Sequence, residues 1–276
     1  MIKPDNKNIS KYMKFPKKIS EKKMEDFFYK KGLGLINKRK RIKDKKVHEM
    51  LVSDPYPPTL EDQYRLYQFI ILNKRTTILE FGSGWSTITF ASALNELKKK
   101  YSIAINKLRR NNPFELFVLE NEKKFFNITK RRTSKFFSNR KELPPKINYK
   151  FSEVEMTMFN NNFATQYKSL HLCNPDFIYL DGPDPWTVKG KINNITIKHK
   201  DMMPMACDII KLENFYTPGT IIVVDGRGAN AKFLKDNFKR NWLYRYECDQ
   251  HIFYLNDPVL GKYNKLQLEF YKENIK

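Results

Sequence analysis

Four carboxylates in this sequence stand at the ends of apolar runs. Glu80 closes "TTILE", Glu120 closes "FELFVLE", Asp181 closes "PDFIYLD" and Asp225 closes "GTIIVVD". A carboxylate at the end of a buried strand is costly unless it meets a cation, a proton or a hydrogen-bond donor. Asp181 and Asp225 therefore indicate a binding role, and Glu80 raises the same question because it lies two residues ahead of a glycine.

The elements that position these acids follow from hydrophobic periodicity. A helix with Thr59 at its N-cap covers "TLEDQYRLYQFIILN", and short apolar runs then alternate with helical stretches. We predict strands over 76–81, 114–120, 146–151, 175–181 and 219–225, and helices over 86–100, 121–137, 201–216 and 229–241. Continuous apolar strands that alternate with helices predict a parallel sheet covered on both faces. The carboxyl ends of such strands share one edge, where open α/β folds bind ligands.

The end of the core departs from this alternation. "WLYRYECDQHIFYLND" holds two alternating strands, 242–248 and 251–255, with only Asp249 and Gln250 between them. A parallel crossover needs roughly a dozen residues, so these strands must form an antiparallel hairpin. One strand of the sheet is therefore predicted to be reversed.

Composition limits the classes of protein to consider. The chain has 276 residues, of which 41% are hydrophobic, which is enough for a substantial core. No apolar run is long enough for a bilayer span and the first residues have no signal-peptide pattern, so we expect a cytoplasmic protein. Cys173, Cys207 and Cys248 are widely spaced, which indicates buried thiols and neither disulfides nor a zinc site.

Basic residues are concentrated near the N-terminus. Residues 1–46 hold 17 Lys and Arg against 5 Asp and Glu, a net +12 of the chain's +22. Two interpretations stay open: an A+T-rich coding sequence that inflates lysine, or a surface for an anionic partner such as RNA or a membrane. We predict a basic, mainly helical extension over 1–58 with loose surface helices, a core over 59–256 after the proline-rich break "SDPYPPT", and a C-terminal tail over 257–276.

The glycine turn after the first strand lets the backbone approach a ligand. Gly82 and Gly84 fit the G-x-G-x-x-G spacing of dinucleotide folds, but Thr87 stands at the third glycine position. Glu80 would repel a pyrophosphate and would attract an ammonium or sulfonium group. The turn therefore disfavours a nicotinamide dinucleotide.

"ILEFGSGWST" resembles motif I of the class I S-adenosylmethionine-dependent methyltransferases. The resemblance implies a Rossmann-like α/β fold: a seven-stranded, mostly parallel sheet with an antiparallel last strand and helices on both faces. It implies S-adenosyl-L-methionine as cofactor, with Glu80 at its methionine end, Gly82 and Gly84 beside it, and Glu120 on the ribose hydroxyls. The other cofactor-binding positions that it implies are Phe81, Ser83, Ser86, Thr87, Asn121, Glu153 and Asp181.

"YLDGPDPW" and "VVDGRGAN" resemble, more narrowly, the macrocin O-methyltransferase-like enzymes, which modify sugars and other hydroxylated compounds. In that group, acids after the fourth and fifth strands hold a divalent cation. Asp181 and Asp225 are the corresponding acids, but Gly226 replaces a second metal-binding side chain, so a site for magnesium stays open.

Methyl transfer to a hydroxyl requires a base and an acceptor pocket. We expect Asp181 or His199 to act as the base. The candidates for substrate binding are Trp186 in the loop after the fourth strand, and Asp225, Arg227 and Asn230 after the fifth.

The predicted function is O-methylation of a small-molecule or glycan-type acceptor. One alternative is an RNA methyltransferase that uses the basic arm, although "DGPDPW" lacks the D-P-P-Y type of turn that grips a flipped base. Another is a non-catalytic nucleoside-binding protein. The pattern predicts neither the acceptor nor the oligomeric state.

Overall fold

The computed structural model describes residues 9–38, 57–140, 145–199 and 202–272. The strands are β1 (Thr77–Phe81), β2 (Glu115–Glu120), β3 (Lys146–Phe151), β4 (Val154–Phe159), β5 (Asn162–Tyr167), β6 (Phe177–Leu180), β7 (Ile221–Asp225), β8 (Trp242–Glu247) and β9 (Gln250–Leu255). Seven of them form one sheet in the order β3-β2-β1-β6-β7-β9-β8. Only β9 runs against its neighbours, β7 and β8, which confirms the predicted fold and its reversed last strand.

Helices cover both faces of this sheet. They are α1 (Glu21–Lys30), α2 (Gly34–Lys38), α3 (Leu60–Leu72), α4 (Trp85–Ile105), α5 (Lys123–Ser138), α6 (Asp208–Lys211), α7 (Gly228–Asn237) and α8 (Lys262–Lys272). Successive strand residues point to opposite faces, so Ile78 joins one hydrophobic core with α1, α3, α4 and α8, whereas Leu79 joins a second core with α6 and α7. Strands buried on both sides explain the continuous apolar runs in the sequence.

A hairpin that the sequence analysis did not predict lies on the second face. It consists of β4 and β5, paired antiparallel from Val154–Tyr167 to Phe159–Asn162. Asn160 and Asn161 form its two-residue turn with φ of 46° and 61°, which asparagine tolerates better than most residues. The hairpin adds a second layer beside the carboxyl edge of the sheet.

The predicted helix over 201–216 is wrong for most of its length. Only Asp208–Lys211 is α-helical, and Glu213–Phe215 forms a short 3-10 turn. Pro204 disfavours a continuous helix, and the backbone on either side of Ala206 pairs with Thr165 of β5 instead. Tertiary pairing has replaced helix propensity here.

The N-terminal segment is anchored to the core within 9–38. Ile9, Phe28, Leu33 and Ile36 are completely buried, and α1 packs on α3. The expectation of loose surface helices is therefore wrong for these residues. Residues 1–8 and 39–56, which include most of the proline-rich break, lie outside the described residues, and the domain boundary at 58 stays a prediction.

The C-terminal helix α8 is also part of the core, because Phe270 and Tyr271 are buried. Across the described ranges, no helix combines the length and apolar character that a bilayer crossing requires. The cytoplasmic location stays a prediction.

Candidate active site at the carboxyl edge

Glu80, at the end of β1, is buried directly beneath the start of α4. The turn is so short that hydroxyls from the first turn of the helix reach back to it: Ser86 Oγ donates to Oε1 at 2.5 Å and Thr87 Oγ1 to Oε2 at 2.8 Å. Burial raises the pKa of Glu80 to about 8, although both hydrogen bonds oppose the shift. A cationic ligand nearby would favour the ionised form.

The glycines of the turn have different surroundings. Gly82 has a φ of +95°, and a Cβ there would lie 3.0 Å from the backbone of Asp181 and Gly182, so the turns after β1 and β6 touch. A Cβ on Gly84 would meet only Ser86 Oγ, at 4.0 Å, so the backbone at Gly84 is open to approach. The Phe81 side chain is fully buried in the second core, so Phe81 can offer a cofactor only its backbone.

Glu120 ends β2, which pairs with β1 in parallel. Its Oε1 accepts from the backbone N–H groups of Asn121 and Glu122, both at 2.8 Å, and its Oε2 accepts from Ser83 Oγ at 2.8 Å. Burial raises the pKa of Glu120 to about 7, against these hydrogen bonds. Three donors leave room for one more, since a carboxylate has about four acceptor positions.

Asn121 is hydrogen-bonded to the loop after β6 and holds that loop in place. Its Nδ2 donates to Asp184 O at 2.9 Å and to Thr187 Oγ1 at 2.7 Å, and its Oδ1 accepts from Asp184 N at 2.8 Å. Asp184 in turn accepts from the backbone of Trp186 at 2.9 Å. Trp186, a predicted substrate-binding residue, is partly exposed in the turn that these hydrogen bonds hold in place.

Asp181 is positioned by Arg227, which follows β7. The guanidinium donates to Asp181 O at 2.6 Å and to Pro183 O at 3.1 Å, and its Nε lies 3.5 Å from Asp181 Oδ1. Dehydration by the surrounding protein raises the pKa of Asp181, and the charge of Arg227 opposes it. This dehydration is incomplete, because 52% of the Asp181 side chain remains exposed.

Asp225 ends β7 and lies beside Asp181, which follows the neighbouring strand, in a half-buried position. Tyr179 Oη donates to its Oδ2 at 2.8 Å. Burial, followed by the charges of Asp62 and Asp181, raises the pKa of Asp225 well above its usual range. Asp62, on the first turn of α3, has a pKa raised to about 6, chiefly by burial. The sequence analysis missed Asp62, because an acid in a first helical turn is ordinary.

The described residues contain no group of three His, Cys, Asp or Glu side chains arranged to hold a metal ion. Gly226, with a φ of +58°, offers no side chain, and Arg227 already places a positive charge beside Asp181. A magnesium site at Asp181 and Asp225 thus stays a prediction that no described third ligand supports.

The remaining predicted residues are Glu153, His199 and Asn230. Glu153 is exposed and pairs with Lys168 at 2.8 Å, which lowers its pKa. His199 is exposed in the loop after β6. Asn230 is fully buried and accepts from Ala206 N at 3.2 Å, so in this conformation it supports the 202–207 segment instead of reaching an acceptor.

Tyr167, at the end of β5, was not identified from the sequence. Its hydroxyl is buried without a hydrogen-bond partner among the described residues, and a Cβ on Gly182 would lie 2.7 Å from it. Its backbone N–H donates to Asp208 Oδ1 at 3.0 Å, and burial raises the pKa of Asp208 to about 7. Tyr167 reaches Gly182 only because the β4–β5 hairpin packs here, and the sequence did not predict that hairpin.

No protein-family model matches this sequence, and no curated protein matches it. Solved structures do resemble its fold. One is the methyltransferase PaMTH1 of Podospora anserina with SAH bound: 12% identity, 89% of this chain and 100% of that chain covered, TM-score 0.42. Another is the O-methyltransferase of Bacillus cereus in complex with SAH: 12% identity, 91% and 96% covered, TM-score 0.39.

A third is the O-methyltransferase TomG of Streptomyces achromogenes, involved in tomaymycin synthesis, in complex with SAM: 12% identity, 87% and 100% covered, TM-score 0.41. Identities and scores this low describe a general likeness of fold. Function must therefore be inferred from the site itself.

Proposed function

We propose that this chain is an S-adenosylmethionine-dependent methyltransferase that modifies an oxygen of a small-molecule acceptor. The observation that carries the proposal is the pair of buried carboxylates, Glu80 and Glu120, at the ends of adjacent parallel strands on either side of the open glycine turn. Glu120 retains an acceptor position for ribose hydroxyls, and Glu80 gains its charge most readily beside a ligand cation.

Glu80 argues against a dinucleotide. A pyrophosphate at the Gly82–Gly84 turn would lie close to this buried carboxyl group and would keep it from ionising, because like charges in a low-dielectric site repel strongly. An adenosyl ligand with an ammonium and a sulfonium group has the opposite electrostatic requirement. This preference supports S-adenosylmethionine over NAD.

When bound, S-adenosylmethionine supplies a methyl group on a positively charged sulfur, so the protein need not activate the donor. The chain's part is to exclude water, align the acceptor oxygen in line with the carbon–sulfur bond that breaks, and accept the hydroxyl proton. Asp181 is our candidate for this base, since it is half exposed at the edge and its pKa is raised. Arg227 positions Asp181 by donating a hydrogen bond to the backbone carbonyl of Asp181.

The resemblance of "YLDGPDPW" to macrocin-type enzymes supports a hydroxylated acceptor, sugars included. In the described part of the basic arm, apolar residues such as Phe28 pack into the core while Lys17, Lys22 and Lys23 stay exposed, so the RNA alternative stays open. A non-catalytic nucleoside-binding protein would share the pocket and differ only in turnover.

The test combines binding with turnover. We expect S-adenosylhomocysteine to raise the melting temperature and NAD at the same concentration to leave it unchanged. Labelled S-adenosylmethionine should then transfer its methyl group to members of a library of small hydroxylated compounds. A shift with NAD alone would refute the proposal, and nucleoside binding without transfer to any acceptor would favour the non-catalytic alternative.

A further inference from the structure

An apolar cavity lies on the second face of the sheet, beside the carboxyl edge. It occupies about 220 Å³ between the β4–β5 hairpin, residues 195–197 and 202–205, and the start of α7. It is open to solvent on one side, where Phe163, Ile195, Met202 and Met203 are 38% to 40% exposed. Its walls include four methionines and an aromatic ring: Met156, Met202, Met203, Met205 and Phe163. None of the described residues that line it carries a charge.

The cavity is continuous with the elements of the candidate site. One wall, Ala229, is two residues beyond Arg227, which holds Asp181 and Pro183. Another wall, Met205, accepts a hydrogen bond from the backbone of Thr165 on β5, and this strand ends at Tyr167 beside Gly182. At about 3.3 Å per residue, β5 spans roughly 10 Å from Ala164 in the cavity lining to Tyr167 at the edge.

The chemistry of the lining selects an apolar occupant. Methionine side chains are flexible and polarizable, so they adapt to varied shapes and make favourable contacts with aromatic rings. Sugar hydroxyls that face the apolar lining would find no hydrogen-bonding side chain among these residues, and a hydroxyl buried without a partner costs roughly 1 to 3 kcal/mol. A dry cavity of roughly 150 Å³ already holds benzene, so about 220 Å³ accommodates a substituted aromatic ring.

We propose that this methionine-lined cavity binds an apolar, aromatic end of the methyl acceptor, while the hydroxyl to be methylated lies at the other end of a molecule that spans roughly 10 Å to the edge at Asp181. The inference rests on the proposed function and narrows it from hydroxylated compounds in general to elongated alcohols and phenols with an aromatic end. It also gives the hairpin a purpose, because β4 and β5 supply Met156 and Phe163 to the cavity and Tyr167 to the edge.

The experiment uses the full chain with methionine methyl groups labelled with ¹³C. Titration with 2-naphthol should shift the resonances of Met156, Met202, Met203 and Met205, and leave those of Met13 and Met24, which are buried in the other core, in place. Methyl glucoside at the same concentration should shift none of them. Equal shifts with both probes, or shifts spread over all methionines, would overturn the proposal.

Two exposed methionines provide a matched pair of variants. Met203 lines the cavity and is 40% exposed, whereas Met158 lies on the same hairpin layer outside the lining and is 45% exposed, so both should tolerate aspartate. Met203→Asp should weaken 2-naphthol binding at least tenfold, with unchanged affinity for S-adenosylhomocysteine. Met158→Asp should change neither of these values.

The readouts separate the two proposals. Shifts at the four cavity methionines without S-adenosylhomocysteine binding would refute the proposed function and, with it, the assignment of the cavity to a methyl acceptor. S-adenosylhomocysteine binding without these shifts would leave the proposed function standing and refute the cavity's role alone.

Discussion

The two edges of the sheet bury their acids in different ways. At the amino edge, Asp176 precedes β6 and accepts hydrogen bonds from Thr76 N, Thr77 N, Thr76 Oγ1 and Tyr271 Oη, all at 2.9 Å. Arg110 pairs with it at 3.3 Å. At the carboxyl edge, Glu80 and Glu120 accept from hydroxyls and backbone amides, and burial raises the pKa of each.

The difference distinguishes an acid that stabilises the fold from acids that are available to a ligand. At the amino edge the chain supplies both a cation and a full set of donors, so the acid joins α8 to the sheet and has no need of a ligand. At the carboxyl edge the acids are dehydrated without equal compensation, a cost that proteins tolerate mainly where a ligand restores the balance. The comparison predicts that removing charge will have opposite effects on stability at the two edges.

The largest effect should come from Asp176→Asn. The amide replaces an acceptor oxygen with a donor that faces other donors, and it leaves Arg110 buried without its partner. We expect the free energy of unfolding to fall by about 3 to 5 kcal/mol. Urea denaturation measures this, and Asp236→Asn, at an exposed pair with Lys232, should stay within about 0.5 kcal/mol of the parent.

Glu80→Gln should act in the opposite direction. The folded pKa of about 8 exceeds the ordinary 4.5, so the folded state holds a proton that the unfolded state releases, and stability falls as the pH rises between these values. The variant cannot ionise, and the hydroxyls of Ser86 and Thr87 can accept from its amide. It should therefore gain about 1 to 3 kcal/mol above pH 8, with little gain near pH 4.

Denaturation at several pH values measures this gain. Glu153→Gln, at an exposed carboxylate, serves as the control and should show no rise with pH. A gain for Glu80→Gln that is the same at pH 4 and pH 8.5 would show that the carboxylate is not dehydrated as we describe.

Arg227 places a cation at the carboxyl edge too, beside Asp181. If its charge serves Asp181 in place of a metal, a chelator should leave methyl transfer unchanged, and Arg227→Gln should reduce kcat several-fold through the loosened 181–183 turn. Stability should change by no more than about 1 kcal/mol, since half of the Asp181 side chain is exposed. Chelator-sensitive turnover restored by magnesium would instead favour a metal at Asp181 and Asp225.

The sequence predicted the sheet well, because strands buried on both faces appear as continuous apolar runs and the Asp249–Gln250 link allows only a hairpin. It also located the acids at the strand ends. It did not predict the β4–β5 hairpin, although Val154, Met156 and Met158 alternate with polar residues before an Asn-Asn turn. That pattern lies between the predicted third and fourth strands, where no element was predicted.

Other features depend on docking that no local pattern encodes. Tyr167 reaches the edge only because β5 packs there, and the 202–207 segment is extended because it pairs with Thr165. Met24 and Phe28 have the spacing of a buried helical face, yet the charge runs around them suggested a surface helix. In each of these three places, long-range packing determines the local structure or its burial, and local composition alone did not predict it.

The cofactor-binding role of Glu120 is tested by a comparison of the acids at the two ends of β2. Glu115 begins β2 and pairs with Lys146 at the amino edge, whereas Glu120 ends the same strand beside the glycine turn. Calorimetric titration of S-adenosylhomocysteine should give binding to the parent and to Glu115→Gln with equal affinity, and a loss of about 1 to 3 kcal/mol for Glu120→Gln. Equal affinity in all three proteins would contradict a cofactor-binding role for Glu120, and no binding to the parent would contradict S-adenosylmethionine as the cofactor.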